Sequence, residues 1–491
     1  MQGVTRGDII MHRKGLRLLA ILFTAVLLWG SIAGSARANS APTYWWGVDS
    51  TGVMITGKES PIEVEKEVLT FDIQQFPESW YDTQEEYLSY SGNVTASYTF
   101  YNPSDYTVTA RLLFPFGCEP AYAPDHGEDD DTDIGKDTAE YGVSIDGKGT
   151  EATIRHSLST GDDVFSLESD LARIRDGYVR DAFYSPDLSV TEYTFRADGV
   201  DTETYHAASV AFDMTRYDEQ RRVCFAQQSG YALQNDGTVR VSDWVENDKL
   251  YTVYVIGEAF ESFPDWTFYR DGVTKNGDEI DGTMTLVSEE KLRLEELALS
   301  GWTKASGVSK IDWYNAFVDH LNQPEGEPES VIYMGEDALD LSHFLMRWYE
   351  YEITLEPGAR IENEVTAPMY PTINKNYDPA IYEYTYLLSP AKAWKKFGDL
   401  EVVLNTPYYM TECSLEGFSK TQSGYTGSFS GLPDQELEFT LSSSETPQAV
   451  KENSPAIYSV VFIGFVLVGT GIVVVVVLSR RKKQIDQSQE K

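Results

Sequence analysis

Through much of this chain, apolar and polar residues alternate with the period of two that a half-buried β-strand requires. Ile62 and Val64, then Leu69, Phe71 and Ile73, read as two short strands. Val94, Ala96, Tyr98 and Phe100 line one face of the next strand, and Asn102-Pro103-Ser104-Asp105 supplies turn chemistry. Val108, Ala110, Leu112 and Phe114 line a returning strand that stops at Pro115, so the pattern predicts a β-hairpin. Further strands are expected at 149–154, 189–196, 207–214, 222–227, 238–245 and 250–256. Turn signals recur every dozen or so residues, the spacing of a sandwich or barrel.

Helical signals interrupt this series. Residues 163–176 read as a short helix stopped by Gly177. Ser288 is placed to cap a helix over 289–299, with Gly301 past its end. Ser309 with Asp312 resembles a capping box and opens a second helix over 311–321. Pro324 and the Glu/Pro-rich 325–329 form a linker, and a boundary is expected near 326. The alternation resumes over 344–355 and reverses at Glu356-Pro357-Gly358-Ala359, where Pro at i+1 and Gly at i+2 specify a type II turn. It returns along 361–366. Tyr382, Tyr384 and Tyr386 share one strand face, a short turn or helix covers 390–397, and strands follow at 400–404 and 436–441.

Two apolar runs lack this alternation. Residues 18–30 follow the basic cluster of Arg13, Lys14 and Arg17 and lead to Ala36-Arg37-Ala38, the three parts of a cleavable signal peptide. The run is about 13 residues, short of the ~20 a spanning helix needs, which favours cleavage over a signal anchor. Translation from Met11 would give the same signal without the ten residues before it. Residues 456–478 contain no charge and are long enough to cross a ~30 Å hydrocarbon core as a helix. Arg480, Arg481, Lys482 and Lys483 follow and hold that end in the cytoplasm. No LPxTG-type site precedes the run, and a polar tail of 479–491 follows it, which disfavours sortase and GPI attachment.

The expected organisation is therefore a signal peptide at 1–38, an N-terminal β-rich ectodomain at 39–285 and a helical segment with linker at 286–325. A C-terminal β domain at 326–441, a Ser/Pro/Glu stalk at 442–455, a transmembrane helix at 456–478 and a cytoplasmic tail at 479–491 complete it. The fold class is mainly β: a β-sandwich-type ectodomain with a small two-helix insertion, plus one C-terminal transmembrane helix. The chain reads as a single-pass type I protein of the plasma membrane with an extracellular ectodomain.

Val94 to Ser104, closing on Phe114-Pro115-Phe116, resembles the opening of uncharacterised secreted, membrane-anchored bacterial β-sandwich domains. It is similar, more loosely, to the vault/inter-alpha-trypsin-inhibitor domain. The resemblance covers about 25 of 491 residues and implies a sandwich, without an activity. A von Willebrand A domain with an Asp-x-Ser-x-Ser metal site usually accompanies the vault-type domain; that motif is missing here, so its function is not carried over.

A net charge of −39 would repel phosphates, which disfavours nucleic acid as a partner. The 31 tyrosines suit half-buried strand faces, and would also suit a surface that binds protein or glycan. Three widely spaced cysteines, Cys118, Cys224 and Cys413, allow at most one bridge and no zinc pattern.

The best metal candidate is the acidic run 129–140. Asp129, Asp131, Asp133, Asp137 and Glu140 fall at positions 1, 3, 5, 9 and 12 of a calcium-loop length. Gly135 is one place late for the sharp turn, Lys136 occupies the usual apolar place, and no flanking helices are expected. A solvated acidic loop is the preferred reading; calcium is the sharper one, and calorimetry showing no heat at millimolar Ca²⁺ removes it. A second acidic, Gly-rich stretch, 271–282, is accounted for by hairpin turns. The mature histidines are dispersed, and no nucleophile elbow, P-loop or His-Glu-x-x-His occurs, so no catalytic residue is assigned. Trp45-Trp46, Trp313-Tyr314 and Trp348-Tyr349 are possible sugar platforms, though core packing is the preferred reading for Trp313 and Trp348. The leading expectation is a non-enzymatic extracellular binding or structural module. A hydrolase using a carboxylate pair, or an accessory or sensor subunit of a membrane complex, are the alternatives.

Overall fold

Strand pairing reorganises the expected elements more than it relocates them. The computed structural model describes residues 60–450 apart from 125–141, 160–166, 273–277, 303–306, 323–330, 333–340 and 342–343, with the strand pieces Tyr44–Trp45, Ser50–Thr51 and Met54–Ile55. The expected signal peptide, transmembrane segment and tail lie outside those residues. Among the described residues no helix is long and apolar enough to cross a membrane. The described chain is mainly β, as expected.

A first body is built on an eight-stranded sheet. Its centre runs Phe397–Asn405, Glu63–Asp72, Asn93–Tyr101, Arg360–Pro368, with only the first of these pairs parallel. Two further sheets face it. One holds Val108–Gly117 between Met54–Ile55 and Leu345–Leu355, with Thr153–Leu158 beyond. The other is centred on Ile381–Leu387 and Leu437–Ser442. Val64, Leu69, Phe71, Val94 and Phe100 from the large sheet meet Phe114, Ile353, Tyr386 and Phe439 from the facing layer in one core. At about 1.5–3 kcal/mol for each large apolar side chain buried, this core dominates the body's stability.

Neither predicted hairpin forms. Asn93–Tyr101 lies in the large sheet, whereas Val108–Gly117 lies in the facing one. Leu345–Leu355 and Arg360–Pro368 are divided in the same way. Each is an arch whose two apolar faces look at one another across the core. The arches pair with each other: Asn93–Tyr101 with Arg360–Pro368 in one layer, Val108–Gly117 with Leu345–Leu355 in the other. Alternation cannot distinguish hairpin from arch, because both put the same residues inside. The turn chemistry itself is correct: Ala359 N donates to Glu356 O at 3.0 Å, and Gly358 takes φ +68°, the left-handed place of a type II turn.

Asn102 ties the two arches together. Its side chain is fully buried, and Nδ2 donates to Tyr106 O (2.8 Å), Leu355 O (3.0 Å) and Glu356 O (3.2 Å). Oδ1 accepts from Ser104 N at 3.0 Å. The backbones join as well, Asn102 N donating to Ala359 O and Gly358 N to Asn102 O, each at 3.0 Å.

The expected pair of short strands over 62–73 is one strand, Glu63–Asp72, with a bulge between Val64 and Lys66. The extra residue shifts the parity, so Val64 and Leu69 both face inward although they are an odd number apart. A Cβ at Gly398 would lie 1.9 Å from Glu65 O, so the strand passing the bulge needs glycine there.

The second body is built from residues 189–293, with Val331–Ile332 added beside Arg221–Phe225. Ser189–Asp198, Leu250–Gly257 and Arg221–Phe225 form one sheet, and Ser209–Thr215 with Thr238–Trp244 and Trp266–Tyr269 form the other. Phe195, Phe212, Phe225, Val241 and Val253 pack between them. Of the helix expected over 289–299, the later part is present as Leu294–Ala298, whereas 289–293 end strand Thr283–Arg293, which pairs along its length with Ser189–Asp198. Ten cross-strand partners outweigh the helix propensity of Glu289, Glu290 and Lys291. The second expected helix is present as Lys310–Leu321. Leu294, Leu297, Trp313 and Phe317 of the two helices share a core with Val190 and Ile256 of the second body and Leu158 and Leu345 of the first.

Strands from 63–117 and 345–442 interleave in the same sheets, so the boundary expected near 326 separates stretches of sequence and not sheets. The expected stalk is also docked in its first part. Ser442 is fully buried, Gln448–Ala449 pairs with Tyr377–Asp378, and Val450 N donates to Asn376 O at 2.6 Å.

Candidate functional site

Helix Lys310–Leu321 carries apolar residues almost all round, yet Asp312, Asn315 and Asp319 place a polar stripe at spacings of three and four. That stripe faces the first body. Ser309 caps the helix as expected, its Oγ accepting from Asp312 N at 3.0 Å. The Asp312 carboxylate does not close a capping box; it turns to Arg155 on strand Thr153–Leu158. Arg155 Nη2 lies 2.9 Å from Asp312 Oδ1, its Nε 3.1 Å from Oδ2, and His156 N donates to the same Oδ2 at 3.1 Å. A charge-assisted bidentate pair is stronger than a neutral cap bond, so the buried guanidinium takes the carboxylate.

From Arg155 the network widens. Nη1 reaches Glu350 Oε2 at 2.6 Å, and Glu350 also pairs with Arg111. Arg111 Nη2 lies 2.9 Å from Asp176 Oδ1. Arg175 pairs with Asp319 at 2.8 Å, and Asn315 bonds both Val179 N and Gly177 O. Burial alone would raise the Glu350 carboxyl, but hydrogen bonds from Arg111 and Arg155 outweigh it and hold it below its ordinary value. Burial alone would lower Arg155, and the Asp312 pair reverses that. The cluster is an ion-paired joint between the first body and helix Lys310–Leu321.

The next register of the same sheet points to the opposite face. His156 stands directly across from Arg347, which stands across from Gly117. Arg347 Nε donates to Gly117 O at 3.2 Å and Nη2 to Cys118 O at 3.3 Å, while its guanidinium lies 4.9 Å over the Phe116 ring. His156 is 2 % exposed, and neither ring nitrogen has a hydrogen-bond partner among the described residues. Burial, with the positive charges of Arg347 and Arg155, pulls its pKa down to about 3. Burial pushes the neighbouring Cys118 thiol up to about 11, against a smaller opposite pull from Ser159. A nucleophilic thiolate needs the opposite arrangement, a depressed thiol beside a charged imidazole.

A third buried polar group sits in the core of the first body. Glu67 is 1 % exposed on the bulged strand, and Tyr386 Oη donates to its Oε1 at 3.4 Å. Burial raises its pKa to about 7, while bonds from Tyr98 and Tyr386 pull the other way. It has the raised pKa of a general acid but is enclosed by core side chains.

The acidic run with Asp129, Asp131, Asp133, Asp137 and Glu140 lies outside the described residues. In the second acidic stretch, Asp271 and Asp278 both pair with Arg270, at 3.5 and 2.9 Å, beside the strand pair Trp266–Tyr269 and Glu279–Ile280. The aromatic platforms are not available to a sugar where their side chains are described. Trp313, Tyr314, Trp348 and Tyr349 are buried, with Trp313 Nε1 bonded to Ala298 O and Trp348 Nε1 to Ser157 Oγ. All three cysteines are free. The polar stripe of 312, 315 and 319 was visible as spacing in sequence; Arg155 was not, because its partner is 157 residues away.

No protein-family model matches the chain, and no curated protein matches it. Among solved structures it is similar to a provisionally assigned nutrient binding protein of Legionella pneumophila. The TM-score is 0.33 and the identity 10 %, with 82 % of this chain and 72 % of that one covered. Overlap this shallow does not define a shared fold.

Proposed function

We propose that the chain is a non-enzymatic, cell-surface module of the type I membrane class, whose sandwich-type ectodomain binds or presents something outside the cell. The observation that carries the non-catalytic part is geometric: the charged groups beside His156 are consumed by one another, Arg155 pairing with Asp312 and Glu350, and neither His156 ring nitrogen has a partner among the described residues. Such a polar cluster orients helix Lys310–Leu321 against the first body; it does not activate a nucleophile. The membrane part rests on the apolar run 456–478 and the basic residues behind it.

The test is a screen of the detergent-solubilised full chain against glycan arrays and generic hydrolase substrates. Glycan or protein binding without turnover is the expected result. Turnover abolished by a single Asp or Glu substitution would overturn the proposal in favour of an extracellular hydrolase.

A further inference from the structure

The docked segment fixes where the ectodomain leaves the described fold. Val450 is 51 % exposed, and its backbone is bonded to Asn376. Only residues 451–455 separate it from the apolar run that begins at Ala456. Five residues span at most about 18 Å fully extended. The headgroup layer takes about 5–7 Å of that length. A domain of about 400 residues has a radius of gyration of about 21 Å, so the tether is shorter than the domain's own radius. The domain therefore cannot roll to present a distant surface to lipid. Whatever surrounds Val450 faces the bilayer.

That surface has a composition suited to the position. Tyr377–Asp378 pairs with Gln448–Ala449, and Lys375 Nζ donates to Ser79 Oγ at 2.7 Å. Next to Ser79, the Trp80 ring is 50 % exposed. The next residue, Tyr81, packs with Tyr87, Tyr122, Tyr370 and Ile373 into a buried aromatic cluster that fixes this stretch of chain. A half-exposed tryptophan beside a lysine, on a rigid support, is the pairing that prefers the membrane–water interface. The nearby Glu78, Asp82 and Asp378 make an anionic bilayer the poorer fit and a zwitterionic headgroup layer the better one.

We propose that this end of the first body, led by Trp80 and bordered by Lys375, Tyr377 and Val450, docks on the zwitterionic headgroup layer of the protein's own membrane. The inference rests on the membrane-anchored reading above. The experiment reconstitutes the full chain in phosphatidylcholine vesicles with a photoactivatable headgroup lipid, then maps cross-linked peptides. Cross-links from the ectodomain concentrated in 78–82 and 374–378 are expected. Trp80→Ala, or a long Gly/Ser insertion after Val450, should reduce them several-fold while the chain stays in the carbonate-washed membrane. A retained chain whose ectodomain cross-links are absent, fall elsewhere or are unchanged by both variants overturns the docking and leaves the anchor intact. A chain released by the carbonate wash overturns both.

Discussion

The two bodies of this molecule are both two-layered β structures, but they are closed in opposite ways. The second body pairs strands drawn from residues 189–293, with only the two-residue Val331–Ile332 added at one edge. The first joins residues more than 250 positions apart, Asn93–Tyr101 with Arg360–Pro368 and Glu63–Asp72 with Phe397–Asn405. The same alternation encodes both. The difference teaches that period-two patterning locates a strand and its inward face while leaving its partner open. Partner choice in the first body falls instead to groups with no periodic signature: a buried asparagine at the crossing of two arches, a bulge, and an ion-paired joint.

If that account is right, lesions at those groups should loosen the first body and spare the second, as read by hydrogen exchange of the two sets of strands. The largest effect is expected for Arg155→Met. It leaves the Asp312 carboxylate buried with only a backbone donor from the cluster, and one-sided removal of such a pair costs about 3–5 kcal/mol. Protection lost at 153–158 and 345–355, with 209–215 and 238–244 unchanged, is the expected pattern; equal loss everywhere contradicts a divided molecule.

Next in size is a pH dependence seated in the first body. Folded, Glu67 holds its proton up to about pH 7, whereas its ordinary value is 4.5. Its contribution is therefore complete below the ordinary value and lost as pH rises through the folded one, so acid stabilises. The difference amounts to at most about 3 kcal/mol. Glu67→Gln should flatten the pH dependence of the first body's unfolding midpoint between mildly acidic and mildly alkaline buffer. An unchanged slope would remove Glu67 as the cause.

Asn102→Ala is expected to cost about 2 kcal/mol, since three carbonyl oxygens at the arch crossing lose their donor together. Chemical denaturation should show the loss in the first body alone. The smallest effect belongs to Gly358→Ala, where a Cβ meets nothing within 4 Å but φ is +68°, so only backbone strain of about 1 kcal/mol remains. A loss as large as that of Asn102→Ala would mean that the turn, and not the asparagine, sets the arch.

These contrasts also explain what sequence could and could not reveal. Strands such as Leu250–Gly257 and Leu345–Leu355 lie close to where their alternation put them, because burial of one face acts residue by residue. Gly424–Ser430 carried no readable signal, since glycine, serine and threonine alternate with only two aromatic residues. Residues 289–293 carry charges that favour a helix locally, and a distant partner strand holds them extended instead. At the joint, Asp312 was visible as a helix-start residue, but its salt bridge depended on where Thr153–Leu158 came to lie. The neutral state of His156 was invisible for the same reason, since enclosure is a property of the assembled sheet.

The short strand pair formed by Gln448–Ala449 with Tyr377–Asp378 has a mechanical consequence. A pull on the chain beyond Val450 meets this two-residue ladder before it reaches Leu437–Ser442 in the core. A few exposed backbone bonds yield at far lower force than a buried sheet, so the ladder peels first. Its release frees residues 443–450, about 25 Å of slack when extended. The segment thus behaves as a built-in load limiter, lengthening the connection under tension while the sheets above it stay closed.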